Sequence, residues 1–173
     1  MNAEQVGKEF VAIARNELLE VYYPRIVRCV NELTDDDIWW RAHPARPDGQ
    51  SGGETNNSIG NLILHLSGNV RQWIVTGIGG APDVRNRPLE FAERTHIPKG
   101  KLLNKLHATL EEADEVLAKF DLSKLLEVRH IQKYDVTCLE AIFHVVSHFS
   151  THTGQIIYIT KLRKGVDLKF YDL

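Results

Sequence analysis

Four stretches of this chain repeat apolar residues at the spacing of one helix face, and alternating strand-like runs are nearly absent. Such a chain can bury its apolar surface only by packing helices on helices. The first stretch spans about residues 3 to 33, with Phe10, Ile13, Leu18, Val21, Cys29, Val30 and Leu33 in register; Pro24 predicts a kink or break near Tyr22 and Tyr23. The second spans 58 to 76, capped by Asn57 or Ser58 and ended by Gly77 to Gly80. The third spans 99 to 120. The fourth spans 137 to 164, where Thr137 and Glu140 fit a capping box, Lys161, Arg163 and Lys164 suit the negative end of the helix dipole, and Gly165 supplies the stop.

The connections are unequal. Residues 43 to 57 form a Pro/Gly/Ser-rich loop, 81 to 98 a long polar link carrying Arg85 and Arg87, and 121 to 136 a mixed segment with room for a short turn or strand. Four helices joined by long crossovers point to an all-α four-helix bundle in a single domain over residues 1 to 173. A length of 173 residues suits one well-buried core and is short for two. Trp39, Trp40 and Arg41 lead into the first loop and are expected to bury one end of the bundle.

A net charge of −2 gives no electrostatic reason to bind nucleic acid or an anionic membrane surface. No apolar run approaches the roughly 20 residues of a membrane span, and the charged N-terminus lacks a signal peptide's apolar centre. Cys29 and Cys138 each fall in a helical pattern and read as reduced, packed thiols, which places the protein in the cytoplasm.

The fourth helix carries His144, His148 and His152, each one turn above the last. Two imidazoles so spaced can chelate one metal ion, and His65 on the second helix is a candidate third ligand. Over eight residues a helix face rotates by about 80° and climbs about 12 Å, so two of the three histidines at most share an ion. Spacing does not choose between the upper and the lower pair. Every fourth residue is also where core side chains fall, so packed histidines without a metal are the competing reading. Three imidazoles and an open position suit zinc or nickel, with iron or copper as alternatives. Asn69, one turn after His65, and Gln155, just beyond His152, are candidates to hold the ligand rings, with Ser147 and Asn61 behind them. No acid stands beside these histidines in sequence as a general base, and no zincin motif, phosphate loop or nucleophile elbow is present. His43, His96, His107 and His130 read as surface residues.

Three pieces together carry a resemblance: Ser58-Ile-Gly-Asn-Leu-Ile-Leu-His65-Leu, Trp39-Trp-Arg-Ala-His-Pro44, and His144-Val-Val-Ser-His148-Phe-Ser-Thr-His152-Thr-Gly-Gln155. Over nearly its whole length the chain resembles the DinB/YfiT-like superfamily of metalloenzymes. Arg85-Asn-Arg-Pro-Leu-Glu-Phe91 and Gly154-Gln-Ile-Ile-Tyr-Ile-Thr-Lys161 resemble more narrowly a branch known as a domain of unknown function within it. The resemblance implies up-down-down-up topology and a metal on His65, His148 and His152, with His144 as a neighbour. It also implies a low-molecular-weight-thiol S-transferase-like activity on a small-molecule substrate, and a homodimer. Where the superfamily commonly has Arg before Gly-Gln, this chain has Thr153. Its alternative is a non-catalytic, metal-stabilised bundle that binds a small ligand or a protein partner.

Overall fold

The computed structural model describes residues 2–42 and 57–170. The expected loop from 43 to 57, including His43, therefore lies almost wholly outside the described residues. The chain is mostly helical with one small two-stranded sheet.

Helix α1 (Ala3–Asn16) starts on an Asn2–Gln5 capping box and runs into α2 (Tyr23–Asn31) through a π-helical turn, Glu17–Tyr22. The break expected at Pro24 takes this form. Proline has no N–H to donate and its ring crowds the carbonyl one turn back. The wider π turn before it accommodates both, and the helical path continues to Asn31. Helix α3 (Asp35–Trp39) follows at once, capped by Thr34. Trp39 is buried as expected and donates its indole N–H to the Ile97 carbonyl at 3.1 Å. Gly60 lies under its ring, where a Cβ would stand 2.8 Å from the indole carbons.

Helix α4 (Ile59–Val70) is capped by Ser58 and is buried on nearly every side, then passes through a second π turn, Arg71–Thr76. The polar link after it holds a helix the sequence did not announce, α5 (Arg87–Ala92). Six residues are too few to show a 3.6-residue period. Helix α6 (Lys99–Ala118) follows, and the mixed segment beyond folds as a 3-10 turn, Leu122–Lys124, and a hairpin. Its strands β1 (Val128–Ile131) and β2 (Tyr134–Thr137) pair antiparallel, Ile131 opposite Tyr134, with Gln132 taking the left-handed turn position at φ 58°. Helix α7 (Cys138–Lys164) starts on the Thr137–Glu140 capping box and ends at Gly165, φ 64°, both as the sequence indicates.

The core lies where α1, α2, α4, α6 and α7 meet, around Ile26, Ile63, Leu106, Ile142 and Phe149. Three specific contacts order the helices. Tyr22 stacks on Phe149 and Arg15 pairs with Asp114. The third, His65 against His148, joins α4 to α7. Cys29 and Cys138 are buried and free, and burial pushes both thiols up, which disfavours the thiolate form. No helix among the described residues is long and apolar enough to cross a membrane.

Candidate metal centre

Helix α4 presents His65 from the middle of its apolar run, 4% exposed, toward the His148 and His152 side of α7. One ring nitrogen from each of the three lies within 4.8 Å of the other two, and this group could hold a metal ion. The closest pair is His65 Nε2 and His148 Nε2, 2.9 Å apart. Nitrogen ligands at 2.0–2.1 Å from a tetrahedral ion stand about 3.3 Å apart, so a shift of about 0.4 Å opens this pair to a cation. With no ion between them, the same contact is a hydrogen bond from one imidazole to the other.

Each outer ring is turned by a partner on its far nitrogen. His65 Nδ1 lies 3.0 Å from Glu90 Oε2. A carboxylate only accepts, so Nδ1 carries the proton and Nε2 faces inward as a lone pair. Arg85 Nη2 is 3.2 Å from the same Nδ1, but both nitrogens carry protons and both donate to the Glu90 carboxylate. His152 Nδ1 donates to Gln155 Oε1 at 2.7 Å, which turns its Nε2 inward in the same way.

Glu90 and Arg85 come from α5 and the link before it. Arg85 Nε and Nη2 grip the two carboxylate oxygens at 2.7 and 2.8 Å, and Arg85 Nη1 donates to Gln72 at 2.8 Å. Both side chains are about nine-tenths buried or more. Burial alone would push the Glu90 carboxyl up; hydrogen bonds from Arg85 and His65 outweigh it and hold the group below its usual range, ionised. Asn61 fixes α5 from beneath by donating to the Glu90 carbonyl at 2.8 Å, and Phe91 packs against the His65 ring, centroids 4.8 Å apart. Gly68, one turn beyond His65, leaves the space that the Glu90 and Arg85 side chains occupy; a Cβ there would collide with both.

Burial, and then the charges of His152, His65 and His144, pull His148 down to about 3. Burial likewise lowers His144 and His152. These rings are neutral at pH 7, the form that binds metal.

His144 does not join the cluster. Its ring lies on Trp73, centroids 4.1 Å apart, and above His148 at 5.4 Å. Asn69 reaches His144, Nδ2 to Nε2 at 3.5 Å, and not His65. The place beside His65 that the sequence offers to Asn69 is filled by Glu90, twenty-five residues on. Asn69 Oδ1 and Trp73 Nε1 have no hydrogen-bond partner among the described residues, leaving a buried acceptor and a buried donor beside His144. Ser147 returns its hydroxyl to the His144 carbonyl, and Asn61 is committed to Arg41 and Glu90. His96 and His130 are exposed and His107 is half-buried against Tyr23.

The fold and this cluster define a predominantly helical protein with a three-histidine group able to hold a metal ion. The chain belongs to the family described as protein of unknown function (DUF1572), which it matches over residues 5–172. No curated protein matches it.

Proposed function

We propose that this chain is a metal-dependent enzyme of the DinB-like superfamily, built as one up-down-down-up four-helix domain. Its divalent cation, zinc or nickel, is held by His65, His148 and His152. The contacts support the topology: the π turn and α2, which continue α1, meet α7 in the same chain direction, Tyr22 on Phe149 and Arg28 on Phe170 just past the end of α7, whereas α4 meets α7 reversed, His65 on His148 and Asn69 on His144. The observation that carries the metal reading is the pair of turned rings. His65 and His152 each spend Nδ1 on a partner and point Nε2 at the same small volume as His148.

An ion bound there supplies Lewis acidity that ionises a water or a low-molecular-weight thiol at neutral pH, the first requirement of thiol transfer to an electrophilic carbon. The chain's own part is positional. Glu90 and Arg85 fix His65, Gln155 fixes His152, and the unpartnered Asn69 Oδ1 and Trp73 Nε1 offer an acceptor and a donor to a polar group of a small substrate. The activity proposed is thiol S-transferase-like.

Elemental mass spectrometry on protein purified without tag or chelator, beside His65→Ala and His148→Ala, tests the site. About one metal per chain, lost in both variants, is the expected result; no uptake after loading with zinc or nickel overturns it. Thiol-dependent conjugation of an electrophile, absent in folded His148→Ala, tests the activity. One observation favours a second reading, a metal that only ties α4 to α7. Glu90, the acid that contacts the cluster among the described residues, is committed to Arg85 and His65 and is not free to act as a base. A metal-loaded protein that melts higher than its metal-free form and conjugates no thiol supports that reading.

A further inference from the structure

Asn61 carries a guanidinium on each side of its buried amide. Its Oδ1 accepts from Arg41 Nη2 at 2.6 Å, and its Nδ2 reaches the Glu93 carbonyl at 3.5 Å, which Arg94 Nη1 also takes at 2.6 Å. Arg41 arrives just past α3 and Arg94 just past α5, so two cations distant in the sequence meet over the first turn of α4. Burial, and then the charge of Arg94, pull the Arg41 guanidinium below its ordinary value, as like charges held together must. Among the described residues neither guanidinium forms an ion pair. Glu93, next to Arg94 in the chain, gives its carboxylate to the Thr95 N–H instead.

Structural duty accounts for one nitrogen of each side chain. Arg41 Nη2 holds Asn61, and Arg94 Nη1 closes the last carbonyls of α5, Phe91 and Glu93. A guanidinium has five N–H donors in a planar fork, so each keeps its Nε and one terminal nitrogen for another partner. Water satisfies such donors but leaves the repulsion between the two charges; an oxyanion satisfies the donors two at a time and cancels the repulsion. Arg41 is half-buried and Arg94 exposed, so an anion reaches the pair from solvent. The net charge of −2 favours a small anion over a nucleic acid or an anionic membrane. Asn61 also lies one turn before His65 on the same face of α4, about 6 Å along the axis, and its Nδ2 holds the Glu90 carbonyl at 2.8 Å. We propose that Arg41 and Arg94 form an oxyanion site, which takes the carboxylate or phosphate of a small molecule whose other end reaches His65, His148 and His152. The second clause rests on the metal reading above; the oxyanion site does not, because none of its residues belongs to the histidine group.

Inorganic phosphate, titrated at constant ionic strength into isotope-labelled, metal-free protein, should move the Nε–Hε resonances of Arg41 and Arg94 along one saturating curve. Arg94→Met should weaken that binding at Arg41 by about tenfold, the scale of one lost hydrogen bond to a charged group, with circular dichroism unchanged. The link to the histidines is read in cobalt-loaded protein, where a thiolate on the ion gives an absorption band. Mercaptoacetate, mercaptopropionate and mercaptobutyrate are compared there with the mercapto-alcohols of equal length. At one length or more the acid should bind about tenfold tighter than its alcohol, and Arg41→Met should erase that preference without weakening the alcohol. Phosphate that moves neither resonance, or that binds Arg94→Met as tightly as wild type, overturns the oxyanion site. Acid and alcohol bound alike at every length overturn its link to the histidines. A chain that takes up no cobalt yet gives the shared phosphate curve upholds the site and removes the metal reading alone.

Discussion

Glu90 Oε2 accepts the Nδ1 proton of His65 at 3.0 Å, and the same oxygen takes a second hydrogen bond from Arg85 at 2.8 Å. The carboxylate thereby sets which nitrogen of His65 faces His148. Glu90→Gln keeps an acceptor but removes the charge that favours this arrangement. Loss of such an outer carboxylate typically weakens metal binding by about 10–100-fold, and that is the expected change in zinc affinity, read by competition with a chromophoric chelator. The substitution also leaves the buried Arg85 unpaired, at a cost of about 3–5 kcal/mol. Adding Arg85→Met should recover most of the melting temperature without restoring affinity. Recovery of both would mean that Glu90 acts only through stability.

Gly68→Ala separates the same two effects by steric means. Alanine in a helix is favoured over glycine by about 1 kcal/mol, but its methyl group would stand 2.9 Å from Arg85 Nε and collide with the Glu90 carboxylate. The helix gain offsets only part of the clash, but Arg85 and Glu90 keep each other as they are pushed off His65, so the melting temperature should fall by less than in Glu90→Gln. Weakened zinc affinity with a smaller loss of stability than in Glu90→Gln is the expected outcome. Affinity equal to wild type would show that the pair finds room elsewhere.

These two residues also mark the limit of what the sequence discloses. The four long helical segments, the Thr137–Glu140 cap, the Gly165 stop and the Gln155 contact to His152 all follow from local spacing, and local spacing survives into the structure. The partner of His65 does not follow. Asn69 is its neighbour along the helix, yet Asn69 points to His144, and Glu90 reaches His65 from a six-residue helix with no readable period. Two signals were available: Gly68 one turn past His65, a residue that permits close approach, and the Arg85–Phe91 motif, which carries both Arg85 and Glu90. The hairpin was similarly muted, because its four-residue strands carry only Ile131 into the core.

The histidine cluster should make the metal-free protein sensitive to mild acid. In the unfolded chain these rings titrate near 6.5, whereas burial and mutual repulsion hold His148 down to about 3 and lower His144 and His152. Above about pH 6.5 both states carry neutral rings and stability is at its plateau. Below it the unfolded chain gains protons that the folded chain refuses, so stability falls as pH drops toward 3, by up to about 1.4 kcal/mol per unit per ring. Urea midpoints of chelated protein between pH 8 and 4 check this, and His148→Gln should flatten the slope. A wild-type midpoint unchanged from pH 7 to 5 would mean that the rings are hydrated.

Asp37 governs a different end of the molecule and a different pH window. It is buried at the cap of α3, where Lys164 Nζ approaches one oxygen at 2.6 Å and Arg163 Nη2 the other at 2.7 Å, tying the last turn of α7 to Thr34 and Trp39. Hydrogen bonds from Lys164 and then Arg163 hold its carboxyl well below the usual range. A carboxyl so lowered stabilises the fold above its unfolded value near 4 and loses that contribution as pH falls below it. Asp37→Asn should therefore cost about 2 kcal/mol at pH 7, the scale of hydrogen bonds to a charged group, and the deficit should shrink as both proteins are acidified below pH 4. Lys164 lies sixteen residues past His148, about 24 Å along the helix, so zinc affinity should be unchanged. A variant that melts like wild type at pH 7 would show that solvent at the half-exposed Arg163 and Lys164 already screens the pair.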